Sequence, residues 1–257
     1  MYFDTHAHLS VKQFEDDLET VIQKAYDNKV FNILLIGMDE TQNKRCITIA
    51  HQHDGLYAAV GIHPSDVEVS DVSTIIPLLK DKKVVAIGEI GIDLYWRQDN
   101  LDKQKEVFIA QLELAVQYNL PVVIHTRNSF DIVYELIKPY KGKIKGVFHC
   151  LTSSHADAVK VMQLGFYVGI GGVVTYPKAT IVHEIAKNIP IERILIETDA
   201  PYLSPHPYRS KRNEPALVTL VAQQIADIKE MPVEMVARIT TQNAINLFGI
   251  NQQKNLN

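Results

Sequence analysis

The chain has 257 residues, 46% of them hydrophobic, with 26 basic and 30 acidic side chains for a formal charge of −4. Twelve glycines, eleven prolines and two cysteines exclude a collagen-like chain, a low-complexity chain and a disulfide scaffold. The weak acidity argues against a protein that coats nucleic acid by bulk positive charge, and leaves ten histidines as the unusual count.

The first residues, Met1 to His6, carry neither a basic region nor an apolar stretch, so no signal peptide is expected. No apolar run approaches the roughly 18 residues that span a bilayer. The expectation is a cytoplasmic protein with no membrane association and no obligate protein partner. In chain order, a strand is predicted at 2–5, a helix at 14–28, a strand at 32–37, a helix at 40–53 and strands at 57–61 and 84–89. A helix at 101–119 follows, marked by the apolar stripe of Val107, Ile109, Leu112, Leu114, Ala115 and Val116. Then come a strand at 121–125, a helix at 129–138, a strand at 145–149, a helix at 154–164, a strand at 166–169, a helix at 178–188 and a strand at 193–198. Two closing helices are predicted at 214–228 and 233–247.

Eight β-rich runs about one βα unit apart indicate a parallel sheet, either a closed (β/α)₈ TIM barrel or an open doubly wound sheet. No glycine-rich phosphate loop follows the first strand, which removes the usual mark of the nucleotide-binding open sheets. With no linker, one domain over 1–257 is expected. The barrel reading makes its own forecast, that chemistry collects at the C-terminal ends of several strands.

The sequence agrees with that forecast. Strand one ends Asp4-Thr5-His6-Ala7-His8, where alternation places Asp4, His6 and His8 on one face. Alone, H-x-H is a weak signal, and the chain holds its own control in His51-Gln52-His53, which falls on a predicted helix and reads as exposed and ordinary. Strand three runs out at Gly61-Ile62-His63-Pro64, strand four at Gly88-Glu89-Ile90-Gly91-Ile92-Asp93, strand five at His125-Thr126-Arg127, strand six at His149 and strand eight at Glu197-Thr198-Asp199. A single such residue is more often a satisfied core histidine or a helix cap. Carboxylates gathered at one mouth repel unless a cation compensates them. His6, His8, Glu89, His125, His149 and Asp199 make six donors, suited to two divalent ions, with Glu89 the natural bridge. The mixed imidazole and carboxylate set leaves Mg, Mn and Zn open. Cys150, beside His149, reads as a small buried apolar residue.

These segments, together with Pro205-His206-Pro207-Tyr208-Arg209-Ser210-Lys211-Arg212-Asn213-Glu214-Pro215, resemble the TatD family of metal-dependent deoxyribonucleases over nearly the whole chain. The resemblance implies an amidohydrolase-type TIM barrel with a binuclear site on the same six ligands. It also implies hydrolysis of DNA, in several members as a 3′-to-5′ exonuclease on single strands. One departure is visible. After Phe148-His149-Cys150 the family usually shows Phe-[ST]-Gly-Ser, whereas this chain reads Leu151-Thr152-Ser153-Ser154, a loss expected to weaken base stacking.

The expected mechanism is two-metal hydrolysis in which Glu89 bridges, Asp199 binds metal and accepts a proton, and His63 meets the phosphate or leaving oxygen. Arg127, Arg209 and Arg212 are the candidates for backbone phosphates of a DNA substrate, with Lys211 a further basic residue of that segment. Tyr95, Trp96, Tyr176, Tyr202 and Tyr208 are candidates for base stacking or for packing under the mouth loops. Two other readings stay open: a hydrolase of another ester or amide, such as an aminoacyl-tRNA deacylase, and a non-catalytic scaffold.

Overall fold

A computed structural model describes residues 1–250; positions 251–257, the end of the expected domain, lie outside the described residues. Eight parallel strands pair in sequence order: β1 (Tyr2–Ala7), β2 (Val30–Ile36), β3 (Leu56–Val60), β4 (Val84–Asp93), β5 (Val122–Arg127), β6 (Gly146–Phe148), β7 (Tyr167–Ile170) and β8 (Ile194–Ile196). A bridge from Ala7 to Ala200 brings the ends of the sheet together, and the result is a (β/α)₈ barrel. The helices are α1 (Leu18–Asp27), α2 (Glu40–Gln52), α3 (Leu101–Tyr118), α4 (Phe130–Ile137), α5 (His155–Gln163), α6 (Thr180–Asn188), α7 (Val218–Lys229) and α8 (Val233–Phe248). Between β3 and β4 only short 3₁₀ turns, Val72–Thr74 and Ile76–Lys80, take the place of a helix.

Side-chain alternation sorts the strands into two buried clusters. Ile33 and Leu35, Val122 and Ile124, Phe148, and Ile194 and Ile196 pack outward against the helices. Their neighbours Leu34, Ile36, Ala59, Ala86, Val123, Val147 and Leu195 form a second cluster on the opposite face, the lumen of the barrel. Phe3 joins this cluster, and the end of α8 closes it with Ala244, Leu247 and Phe248. The rings of Phe3 and Phe248 lie 6.1 Å apart.

Three boundaries differ from the sequence expectation by four residues, and the others by fewer. The helix predicted over 14–28 is a 3₁₀ turn, Lys12–Phe14, followed by α1 from Leu18. Phe14 is buried, and the acids Glu15, Asp16 and Asp17 fall ahead of the helix, where negative charge suits its N-terminus. β4 runs four residues past its expected end, to Asp93, after a register shift between Ile87 and Ile90. The helix predicted from 214 begins at Val218, behind a 3₁₀ turn that opens on Pro215.

Candidate metal centre

The lumen face changes chemistry within one pleat. Two residues beyond Val123 is His125, two beyond Val147 is His149, and two beyond Leu195 is Glu197. β1 adds His6 and, just past its end, His8; β4 adds Glu89; and Asp199 follows β8 in the left-handed region, φ 60°. Gly169 on β7 is required by this crowding. A Cβ there would stand 2.6 Å from Glu197 Oε2 and 2.9 Å from the His149 Cα.

Glu89 lies at the middle of the group and divides it in two. Its Oε2 is 3.3 Å from His6 Nε2 and 3.6 Å from His8 Nε2. Its Oε1 is 2.7 Å from both His125 Nδ1 and His149 Nε2, with His63 Nε2 at 3.9 Å. Asp199 Oδ1 faces the first side, 3.6 Å from His6 Nε2 and 3.3 Å from His8 Nε2. The rings of His6 and His149 stack at 4.0 Å. Three overlapping triplets can each hold an ion: His6, His8 and Glu89; His6, His149 and Asp199; and His63, Glu89 and His125.

Burial sets the electrostatics, and neighbours then decide the sign. For Glu89, burial alone disfavours the charge, but His149 and His6 beside it and the hydrogen bonds to His125 and His149 outweigh this and hold its carboxyl well below the usual range. Asp199 follows the same pattern, lowered against its burial by His8 and His6. Burial opposes charge on His149 as well, yet Glu89 and Glu197 lift its pKa well above the ordinary imidazole value. His6 goes the other way, lowered chiefly by burial and then by His149. Burial, reinforced by His125, pushes His63 down to about 3, so it is neutral.

The donor set fits divalent metal. His6 Nε2 and His8 Nε2 face each other at 3.2 Å, a distance at which two imidazole nitrogens need a proton or a cation between them. Among the described residues, Glu89 and Asp199 have only histidines as ionic partners, with no lysine or arginine. Six nitrogen and oxygen donors that converge without a fixed cation are the chemistry of a metal centre.

Residues that were not singled out as ligands brace the cluster. Asp93 opens a turn: its Oδ1 accepts the backbone N–H groups of Tyr95 and Trp96. Its Oδ2 meets His125 Nε2 at 3.0 Å and fixes that ring from behind. Glu197 Oε1 accepts the Cys150 N–H at 2.6 Å and lies 3.5 Å from His149 Nδ1. The signal for both was a second acid two or four residues from a ligand acid on the same strand end. Asp4 departs from the face it was expected to share with His6 and His8. It accepts from the Thr198 N–H at 2.9 Å and the Thr198 hydroxyl at 2.6 Å, strapping β1 to the end of β8, and burial raises its pKa to about 8.

The basic candidates land in different settings. Arg127 lies over the Tyr95 ring at 3.9 Å and near Trp96 at 5.5 Å, and Arg209 lies over Tyr176 at 4.2 Å. Arg212 instead grips Asp17 at 2.6 and 2.9 Å, Glu214 at 3.2 Å and the Gln13 carbonyl, stacked on Phe14, so its fork is occupied within the protein. The expected stacking loss at Leu151 is corrected. That side chain is 1% exposed and packs in the core, so the position fills the interior and offers no platform for a base. The control pair also sharpens: His51 pairs with Asp81 at 2.9 Å and His53, half-buried rather than exposed, with Glu19 at 3.2 Å, so the two point to different partners. Cys150 is buried only in part, at φ 44°.

A (β/α)₈ barrel with histidines and carboxylates converging at the C-terminal ends of its strands is the architecture of a metal-dependent hydrolase. Residues 3–249 match the family model described as TatD related DNase, and the chain belongs to that family. It is 45% identical over 98% of its length, and the full length of the relative, to the Bacillus subtilis uncharacterized metal-dependent hydrolase YabD. It is 32% identical over 98% of its length, and 97% of the relative, to the Escherichia coli uncharacterized metal-dependent hydrolase YcfH. The solved structure of YjjV, a TatD homologue from Escherichia coli, superposes with a TM-score of 0.92 at 29% identity, covering 97% of this chain and 98% of that one. A TatD-family hydrolase from Entamoeba histolytica gives a TM-score of 0.84 at 26% identity, covering 96% and 97%. No described helix is long and apolar enough to cross a membrane.

Proposed function

We propose that this metal-dependent hydrolase cleaves phosphodiester bonds of DNA, removing nucleotides from the 3′ end of single strands, with two divalent ions held by His6, His8, Glu89, His125, His149 and Asp199. The observation that carries the reading is Glu89, whose two oxygens face two separate histidine groups. A carboxylate so placed is suited to joining two ions. When bound, divalent ions acidify water and neutralise phosphate charge, worth several kcal/mol in the transition state.

The protein's own groups supply the rest. Asp199 is a carboxylate at neutral pH because His8 and His6 outweigh its burial, so it accepts the proton of the attacking water. His63 is neutral, and its Nδ1 is held by Ser65, 2.7 Å from the hydroxyl that donates to Asp66 and 3.1 Å from the backbone nitrogen. That leaves Nε2 on the Glu89 side, 3.9 Å from Oε1, as the atom that meets a phosphate or leaving oxygen. Asp93 holds the His125 ring in place from behind.

A digest of 3′-labelled and 5′-labelled single-stranded oligonucleotides with Mg, Mn or Zn tests the proposal. Stepwise shortening from the 3′ end is expected, abolished by Glu89→Ala. Intact DNA beside turnover of an aminoacyl or other carboxylic ester would replace this reading with the ester-hydrolase one. Intact DNA with no metal bound would leave a scaffold.

A further inference from the structure

Beside the metal centre lies a cavity of about 710 Å³, formed where the loops after β4, β5 and β6 meet. It falls within the range of about 300–1,000 Å³ typical of small-molecule sites. Its walls include Tyr95, Thr126, Arg127, Asn128, Thr152 and Ser153. The loop segments of the wall are tied to the centre, and the start of α4, Phe130 to Ile132, completes it. Thr126 and Arg127 directly follow His125, Thr152 follows His149 by three residues, and Tyr95 is hydrogen-bonded to the Asp93 carboxylate that also holds His125.

Three features of this cavity point to one kind of occupant. Arg127 has no carboxylate partner among the described residues and is exposed, its guanidinium stacked on Tyr95. Arg97, by contrast, is spent on Glu68 and Asp99, and the exposed Arg209 lies over Tyr176, away from this cavity. Second, the aromatic rings beside Arg127 are open to solvent, Tyr95 54% and Trp96 71%. Of the five aromatic side chains among the exposed large hydrophobics, four (Tyr95, Trp96, Tyr202 and Tyr208) sit on loops of this mouth. Third, the remaining walls are hydroxyl and amide groups with Phe130 and Ile132 from the start of α4, and the one carboxylate, Asp131, has Lys160 at 3.5 Å. An unpaired arginine fork suits a phosphate, and exposed rings suit the face of a base.

We infer that this cavity is a subsite for one nucleotide of the substrate strand, adjoining the phosphate that is cut, with Arg127 on its phosphate and Tyr95 and Trp96 against its base. The inference rests on the nuclease reading above and adds to it a recognition pocket distinct from the metal ligands. Asp93 is the positioning residue between the two. One of its oxygens fixes a ring of the metal centre and the other fixes the loop that carries the stacking aromatics.

Trp96 is the chain's single tryptophan and stands 5.5 Å from the Arg127 guanidinium, so its fluorescence reports on the surroundings of that group. In metal-free protein, a deoxydinucleotide with one phosphodiester is expected to quench that emission saturably. Inorganic phosphate should leave the emission unchanged. Arg127→Ala should raise the dissociation constant about tenfold, and Arg127→Lys should recover only part of the loss. An unquenched wild type, or an Arg127→Ala protein that titrates like wild type, overturns the inference. Hydrolysis of bis(p-nitrophenyl) phosphate by the metal-loaded wild type separates the two readings, because that substrate needs no nucleotide pocket. Turnover without quenching removes the pocket and leaves the phosphodiesterase; quenching without turnover does the reverse.

Discussion

The floor and the mouth of the barrel are built from the same strands and the same face, yet they answer to opposite demands. At the floor, Val123, Val147 and Leu195 pack with Phe3 and the end of α8. One pleat higher, His125 and His149 crowd around Glu89, and Glu197 stands on the far side of His149. The floor gains stability from apolar burial, at about 25 cal/mol per Å². The mouth buries carboxylates and imidazoles, which cost free energy unless they are paired or bound to a cation. The scaffold is thus stabilised where nothing reacts, and the polar cost falls where the chemistry is.

Substitutions at the two levels should therefore separate activity from stability. The largest expected effect is at the mouth: Glu89→Gln should lower oligonucleotide hydrolysis on the order of 10³-fold or more, read as kcat/KM, while the metal-free protein keeps its fold by circular dichroism. At the floor the pattern should invert. Phe248→Ala should cost about 3–5 kcal/mol in urea unfolding, while metal affinity measured by calorimetry is unchanged. Should Phe248→Ala weaken metal binding as strongly as Glu89→Gln does, the two levels are not independent.

Asp93 lies between the extremes. Asp93→Asn keeps the side-chain shape but removes the charge behind His125, and metal affinity should fall about ten- to hundredfold. The smallest effect belongs to the rim. Asp17 is held below the ordinary carboxylate pKa first by its hydrogen bonds to Arg212. A depressed folded pKa gives stability that is present above the unfolded value, near 3.9, and lost as pH falls through the folded one. Asp17→Asn should accordingly flatten the acid limb of a stability–pH profile below about pH 4 and leave turnover at neutral pH unaltered. A profile that does not change would mean that Arg212 finds no partner in Asp17.

The barrel was legible because each strand is a short β-rich run, and the mouth because six of the eight runs stop at histidines or acids. Strand ends were less legible. β4 continues to Asp93 through a glycine-rich stretch that reads as a turn, Gly88-Glu89-Ile90-Gly91. The bracing acids were visible as residues but not as partners. Which oxygen of Asp93 meets His125, and that Asp4 turns to Thr198, depend on side-chain directions after register shifts in β1 and β4, which alternation alone does not give. Arg212 shows the opposite failure. Its basic segment follows the Asp199 strand, but Asp17, nearly 200 residues earlier, takes its guanidinium.

The central claim is that Glu89 joins two ions in one cluster. Calorimetric titration of metal-stripped protein with Zn or Mn tests it most directly, run on the wild type and on Glu89→Gln. Two equivalents per chain in the wild type, with at least one lost or strongly weakened in the variant, is the predicted result. A single equivalent in the wild type, or two undiminished equivalents in Glu89→Gln, would contradict it.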